Sequence, residues 1–276
     1  MILDGHIHIT DEKLDRAGLD VRMKETGVGG GVIISQSPAS FSRMSVCNEY
    51  EGRLDNLFSW TNNAPHLFPF FWIDPTEDDA IVQVHSAVER GVMGFKVICT
   101  HFYPSENKAM EVFAEIAGAG KPILFHSGIL WDGQPSSKYN RPEEFECLLK
   151  IADLRFSLAH ISWPWCDECI AVYGKFRQAH ANNPGASCEM FVDITPGTPR
   201  IYRRDALTKL LTVGYDVQAN IIFGSDCGAR DYSSEGVGQW IEHDSEVYKE
   251  LMLDDEVVES IFSKNLKRFL GVIPSI

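Results

Sequence analysis

Residues 67–100 run LFPFFWIDPTEDDAIVQVHSAVERGVMGFKVICT, and the spacing of the apolar positions changes twice within them. LFPFFWID (67–74) is a short apolar run of strand length. In DDAIVQVHSAVERG (78–91), Ile81, Val84 and Val88 recur at helical spacing, and Gly91 is placed to end the helix. MGFKVICT (93–100) is strand-like again. Strand, helix and strand in so short a stretch is the rhythm of repeated βα units around a parallel sheet.

The same rhythm extends in both directions. Six more strand candidates are MILDGHIHI (1–9), GGVIISQS (30–37), PILFHSG (122–128), RFSLAHIS (155–162), EMFVDIT (189–195) and NIIFGSD (220–226). NKAMEVFAEIAGAG (107–120) is a second clear amphipathic helix. The chain closes on LDDEVVESIFSKNLKRFLG (253–271), where Val258, Ile261, Phe262, Leu266 and Phe269 form one stripe. Acidic residues open that helix, and Lys267 and Arg268 sit in its last turn, as the helix dipole favours. Eight strands, each followed by a helix, predict a single (β/α)8 TIM barrel of the α/β class over residues 1–276. No linker, repeat or low-complexity stretch divides it.

Composition narrows the function. A chain of 276 residues with 44% hydrophobic and 23% charged positions buries a large core. A net charge of −14 argues against nucleic acid or an anionic membrane as partner and leaves a small-molecule substrate. The seven cysteines lack secreted-domain spacing and are expected as free thiols in a reducing compartment. With no apolar run near the ~20 residues of a membrane span and a first strand at the very start, the expected location is the cytoplasm.

In a (β/α)8 barrel the active site is built at the C-terminal ends of the strands. The first strand offers His6 and His8, two residues apart and so on one face, about 6.6 Å between their Cα atoms. The fourth offers Lys96, the fifth His126, the sixth His160 and the eighth Asp226. Six metal-competent or proton-competent side chains on one rim are hard to assign to packing, because buried ionisable groups are costly unless paired or metal-bound.

The same residues carry a resemblance over nearly the whole chain. DGHIHI (4–9), GFKVI (94–98), HISWPWCDE (160–168), FGSDCG (223–228) and IFSKNLKRFLG (261–271), taken in order, resemble the amidohydrolase superfamily, within it the amidohydrolase-2 branch. The resemblance implies a bound divalent metal, zinc first and manganese as the alternative, and either hydrolysis or non-oxidative decarboxylation. By the same analogy a homodimer is possible.

The chemistry can be argued from the residues as well. Imidazoles and a carboxylate around an ion, with one position open, describe a catalytic rather than a structural site. His6, His8, His126 and Asp226 are the expected ligands, and Asp226 is also the expected general base for a metal-activated water. His160 would orient the water or stabilise the developing oxyanion or, in a two-metal site, bind a second ion with His126. Lys96 would bridge two ions if carboxylated; the expectation is an uncarboxylated lysine and one ion.

Trp163, Trp165 and His101 are candidate substrate-binding residues, and Arg43, Arg200, Arg203 and Arg204 could each clamp a carboxylate. Cys166 and Cys169 are taken as ordinary thiols, with Cys227 off the Asp226 face, and His66, His85, His180 and His243 as surface residues. The leading function is hydrolysis of a small-molecule lactone, amide or ester-like bond. The alternative is decarboxylation of an aromatic or unsaturated acid, which the short connection after the first strand disfavours within the family.

Overall fold

The computed structural model describes residues 1–10, 13–41, 49–183 and 188–272; Arg43 lies outside the described residues. The strands are β1 (Ile2–His8), β2 (Val28–Ile34), β3 (Leu67–Trp72), β4 (Gly94–Val97), β5 (Ile123–Phe125), β6 (Arg155–Leu158), β7 (Glu189–Asp193), β8 (Ile221–Ile222) and β9 (Cys227–Gly228). The helices are α1 (Arg16–Glu25), α2 (Tyr50–Thr61), α3 (Ala80–Arg90), α4 (Asn107–Gly118), α5 (Cys166–Asn182), α6 (Arg200–Thr212), α7 (Ser234–Glu250), α8 (Asp255–Glu259) and α9 (Asn265–Phe269). Every strand pairing is parallel, in the order β8–β7–β6–β5–β4–β3–β2–β1–β9. The eighth barrel strand is split. Its first part pairs with β7 and its second with β1, and the chain between them bonds β1 through Gly5 N–H to Phe223 O (2.8 Å) and Asp226 N–H to His6 O (2.9 Å). The sheet therefore returns to its first strand, and the fold is the expected α/β barrel.

Alternation along the strands sorts side chains into two cores. Val32, Ile34, Phe70, Trp72, Leu124, Phe191 and Ile222 fill the barrel interior, while Ile33, Phe71, Ile123, Phe125 and Val192 point outward under the helices. Burying each such side chain stabilises the fold by about 1.5–3 kcal/mol. β1 breaks the alternation. Its register against β2 shifts between Ile2 and Asp4 and again between Asp4 and Ile7, so Leu3 lies in the interior core while Ile7 and Ile9 join the outer one. His6 and His8 are thereby turned inward at the top. Gly5 allows this closeness, because a Cβ there would stand 2.7 Å from Ile222 Cγ2.

The helices depart from expectation in three places. The connection after β5 holds no α-helix. It runs through two 3₁₀ segments, Ser137–Asn140 and Pro142–Lys150. In the second, Pro142, Phe145 and Leu148 are the buried residues, and a spacing of three matches the 3₁₀ repeat, which stacks them on one stripe. In α3, Gly91 ends the helix as expected, with φ of 96°, but the buried face is Ala80, Gln83, Val84 and Ala87, leaving Ile81 exposed. The terminal helix is continuous in path but contains a π-helical turn over Ser260–Lys264. Leu266 and Phe269 of α9 then close the bottom of the barrel against Leu3 and Phe70. Among the described residues no helix is long and apolar enough to cross a membrane.

Candidate active site

The C-terminal ends of the strands open onto a cavity of about 450 Å³. On its surface lie His6 and His8 from β1, Lys96 from β4, His126 just past β5, His160 just past β6, and Asp226 just before β9. The barrel thus brings all six sequence candidates to one place. His160 and Asp226 sit in the left-handed region, with φ of 64° and 60°, and Ile161 and Ser162 follow His160 there. Such backbone is costly for a β-branched residue like Ile161 and tends to cluster at functional sites.

Three of the six form a tight group. His6 Nε2 and His8 Nε2 stand 3.1 Å apart, and Asp226 Oδ1 lies 3.6 Å from the first and 3.4 Å from the second. Ligand atoms of all three fall within 4.8 Å of one another. Two nitrogens bound to one zinc-sized ion at ~2.0–2.1 Å stand about 3 Å apart, so the donor set and its spacing fit a divalent cation. The His6 ring is in the right state for it. Burial drives His6 well below the ordinary histidine range, aided by the neighbouring Lys96, and a neutral ring offers a lone pair.

His6 is held from behind. Its Nδ1 lies 2.8 Å from Asp193 Oδ2 and 3.2 Å from Thr195 Oγ1. Asp193 Oδ1 in turn accepts from Thr195 N–H at 2.6 Å and from the Thr195 hydroxyl. Burial raises the Asp193 carboxyl above its ordinary value, against the pull of His160 and of the Thr195 hydrogen bonds. On Asp226, burial opposes the charge, but the hydrogen bond from His8 and the neighbouring His6 and His160 imidazoles outweigh it and keep the carboxylate well below its usual range. That group faces the cavity as an anion.

Lys96 is buried, and its Nζ is 3.2 Å from His6 Nε2. Burial lowers it to about 8, with Asp226 and Asp193 acting in the opposite sense. His126 stands apart from the three-residue group: its Nε2 is 3.3 Å from the Ile129 carbonyl and must donate to it. Its ring centroid is 5.0 Å from that of His160, whose Nδ1 donates to Thr195 O at 3.4 Å. Burial lowers both of these imidazoles too.

The remaining walls are apolar, built by Phe41, Trp72, Ile98, Leu130 and Trp163. Trp72 packs against Phe41 at 5.1 Å and against the His8 ring at 5.5 Å. Trp163 lines the cavity, with its ring stacked on Tyr202 at 6.3 Å. Trp165 does not. It precedes α5, and its ring lies under the Arg141 guanidinium. His101 is also off this cavity, because Thr100 Oγ1 at 2.7 Å and Thr76 Oγ1 at 3.0 Å turn its ring toward Asp74; it lines a neighbouring pocket with Lys138 and Tyr139.

Among the described arginines none lines the cavity. Arg203 is paired with Asp244 inside the helical layer, Arg204 with Glu250 on the surface, and Arg200 borders a separate surface pocket. His243, expected at the surface, is buried against Trp240. Cys166 and Cys169 are free thiols that burial pushes up to about 11 and about 12.

Asp193 and Trp72 escaped the sequence reading although both were findable. Asp193 is the last residue of β7, at the same C-terminal strand end that brings in Lys96 of β4 and His126 just past β5. Trp72 ends β3 in register with Lys96, so the inward placement of one implies that of the other.

A family model described as amidohydrolase matches residues 4–272. No curated protein matches the chain in sequence. Among solved structures, a zinc-bound amidohydrolase from Burkholderia multivorans is 10% identical with a TM-score of 0.67, the match covering 99% of this chain and 100% of that one. A probable 2-pyrone-4,6-dicarboxylic acid hydrolase from Acinetobacter baumannii, with citric acid bound, is 12% identical with a TM-score of 0.63, covering 98% and 99%. A 2,6-dihydroxybenzoate decarboxylase from Rhizobium is 13% identical with a TM-score of 0.62, covering 98% of each chain. At these identities the likeness is one of fold.

Proposed function

The chain belongs to the amidohydrolase family, whose model spans residues 4–272, and from that premise we propose that it is a metal-dependent hydrolase of a small-molecule lactone, amide or ester-like bond. The observation that carries this reading is the group of His6, His8 and Asp226 at the cavity, two imidazole nitrogens and one ionised carboxylate with ligand atoms within 4.8 Å. These three would hold one divalent ion, zinc in the first instance and manganese as the alternative. His126 is proposed as the fourth ligand, which requires its Nε2 to leave the Ile129 carbonyl or its other nitrogen to serve. A divalent ion in such a site supplies a Lewis acid for the substrate oxygen and lowers the pKa of water toward ~7.

The protein groups do the rest. Asp226 is the general base: its carboxylate takes the proton of the attacking water and returns it to the leaving group. His160 already spends its Nδ1 proton on the Thr195 carbonyl, so its Nε2 accepts a hydrogen bond from the attacking water and orients it. Lys96, uncarboxylated in this reading, adds positive potential beneath the His pair. Trp163, with Trp72 and Phe41, shuts bulk water away from the carbonyl and accommodates a flat apolar body. The six cysteines among the described residues are free, which supports placement in a reducing compartment, the cytoplasm.

Turnover in ¹⁸O-water tests the reaction. Hydrolysis places solvent oxygen in the carboxylic product. Release of CO₂ with no solvent oxygen incorporated overturns the hydrolase reading in favour of decarboxylation.

A further inference from the structure

We propose that Asp193 is a positioning residue that sets the tautomer and direction of His6 and makes it the firmer of the two imidazole ligands. The inference rests on the metal-site reading above. A carboxylate oxygen accepts only, so the 2.8 Å contact from Asp193 Oδ2 places the ring proton of neutral His6 on Nδ1 and leaves the Nε2 lone pair directed at His8 and Asp226. Asp193 is itself fixed, since its other oxygen accepts both the backbone N–H and the hydroxyl of Thr195. The strands are shaped to bring these parts together. A Cβ at Gly224 would meet Thr195 Oγ1 at 2.7 Å and His6 Cβ at 2.8 Å, so only glycine lets His6 and Thr195 approach across that segment.

His8 has no such support. Its Nδ1 is buried and without a hydrogen-bond partner among the described residues, although its Nε2 faces the same point. The two histidines of one His-x-His pair are therefore unequal: His6 is preset for the ion, and His8 must choose its tautomer when the ion arrives. Asp193 is absent from the cavity lining and does not reach a substrate, so it acts through His6.

Zinc affinity of the metal-stripped protein, read by competition with a chromophoric chelator, tests this, with the tautomer of His6 read by nitrogen NMR of the same samples. Asp193→Asn is expected to weaken zinc binding by about 10–100-fold and to turn His6 into a mixture of tautomers, while the melting temperature of the zinc-free protein stays near that of the parent. A merely structural carboxylate would lower the zinc-free melting temperature and leave the affinity of the folded molecules alone. If the asparagine variant is too unstable to assay, Thr195→Val decides: a smaller loss of affinity with His6 still folded in place supports the inference. Unchanged affinity in whichever variant is measured overturns it, provided the parent binds zinc. No zinc binding by the parent overturns the metal-site reading itself, and this inference with it.

Discussion

Two buried contacts between an acid and a nitrogen base lie at opposite depths of the barrel wall. His6–Asp193 closes at 2.8 Å beneath the cavity, and Arg203–Asp244 closes at 2.7 and 2.6 Å between α6 and α7. All four side chains are at or below 1% exposure. The arginine turns its carboxylate contact and its flat face to protein alone, the latter to the Trp240 ring at 5.0 Å. The histidine turns one nitrogen to protein and the other to a cavity already holding a second imidazole and a carboxylate. Burial of an acid–base pair therefore says little about function. An outward-facing lone pair beyond the pair is what separates a site from a staple.

If that distinction is right, damage on the two sides must separate cleanly. The largest effect is expected at the reacting end: Asp226→Asn should lower kcat on the order of 10²–10⁴-fold, with weakened metal binding adding to the loss. Next comes the staple. Asp244→Ala leaves Arg203 charged and unpaired in the helical layer, and denaturant unfolding should show a loss of about 3–5 kcal/mol while zinc affinity of the folded fraction is unchanged. A fall in zinc affinity as large as that of Asp193→Asn would break the comparison. A smaller effect is expected at the wall, where Trp163→Ala should raise KM by about tenfold with a lesser change in kcat, the mark of lost substrate contact. Smallest is His101→Ala, expected within about 0.5 kcal/mol in stability and without effect on kcat, because the ring is turned away from the cavity.

The barrel and its rim were legible because both obey a short period. Strand alternation and the rule that sites sit at C-terminal strand ends together placed His6, His8, Lys96, His126, His160 and Asp226 on one cavity. What stayed hidden depends on tertiary contacts. The rotation of α3 that exposes Ile81 and buries Gln83 is set by Arg53, which donates to the Gln83 amide oxygen from α2. His243 is buried by Trp240 and its neighbours on a face that spacing alone does not reveal. The two loop candidates, Trp165 in the Pro-Trp turn that carries the family resemblance and His101 in the loop after the fourth strand, carry no sequence signal of ring direction, which is decided by partners such as Arg141 and Thr76. The register shifts of β1 likewise have no sequence signal beyond Gly5.

The central claim is that one divalent ion binds through the His6–His8–Asp226 group, and the most direct measurement is the zinc content per chain of the loaded, buffer-exchanged protein. The account predicts one zinc per chain in the parent and in Asp244→Ala, none in the His6→Ala, His8→Ala double variant, and a partial loss in His126→Ala. No retained zinc in the parent, or full retention in the double variant, would contradict it; two zinc ions per chain would contradict the single-ion site with a free Lys96.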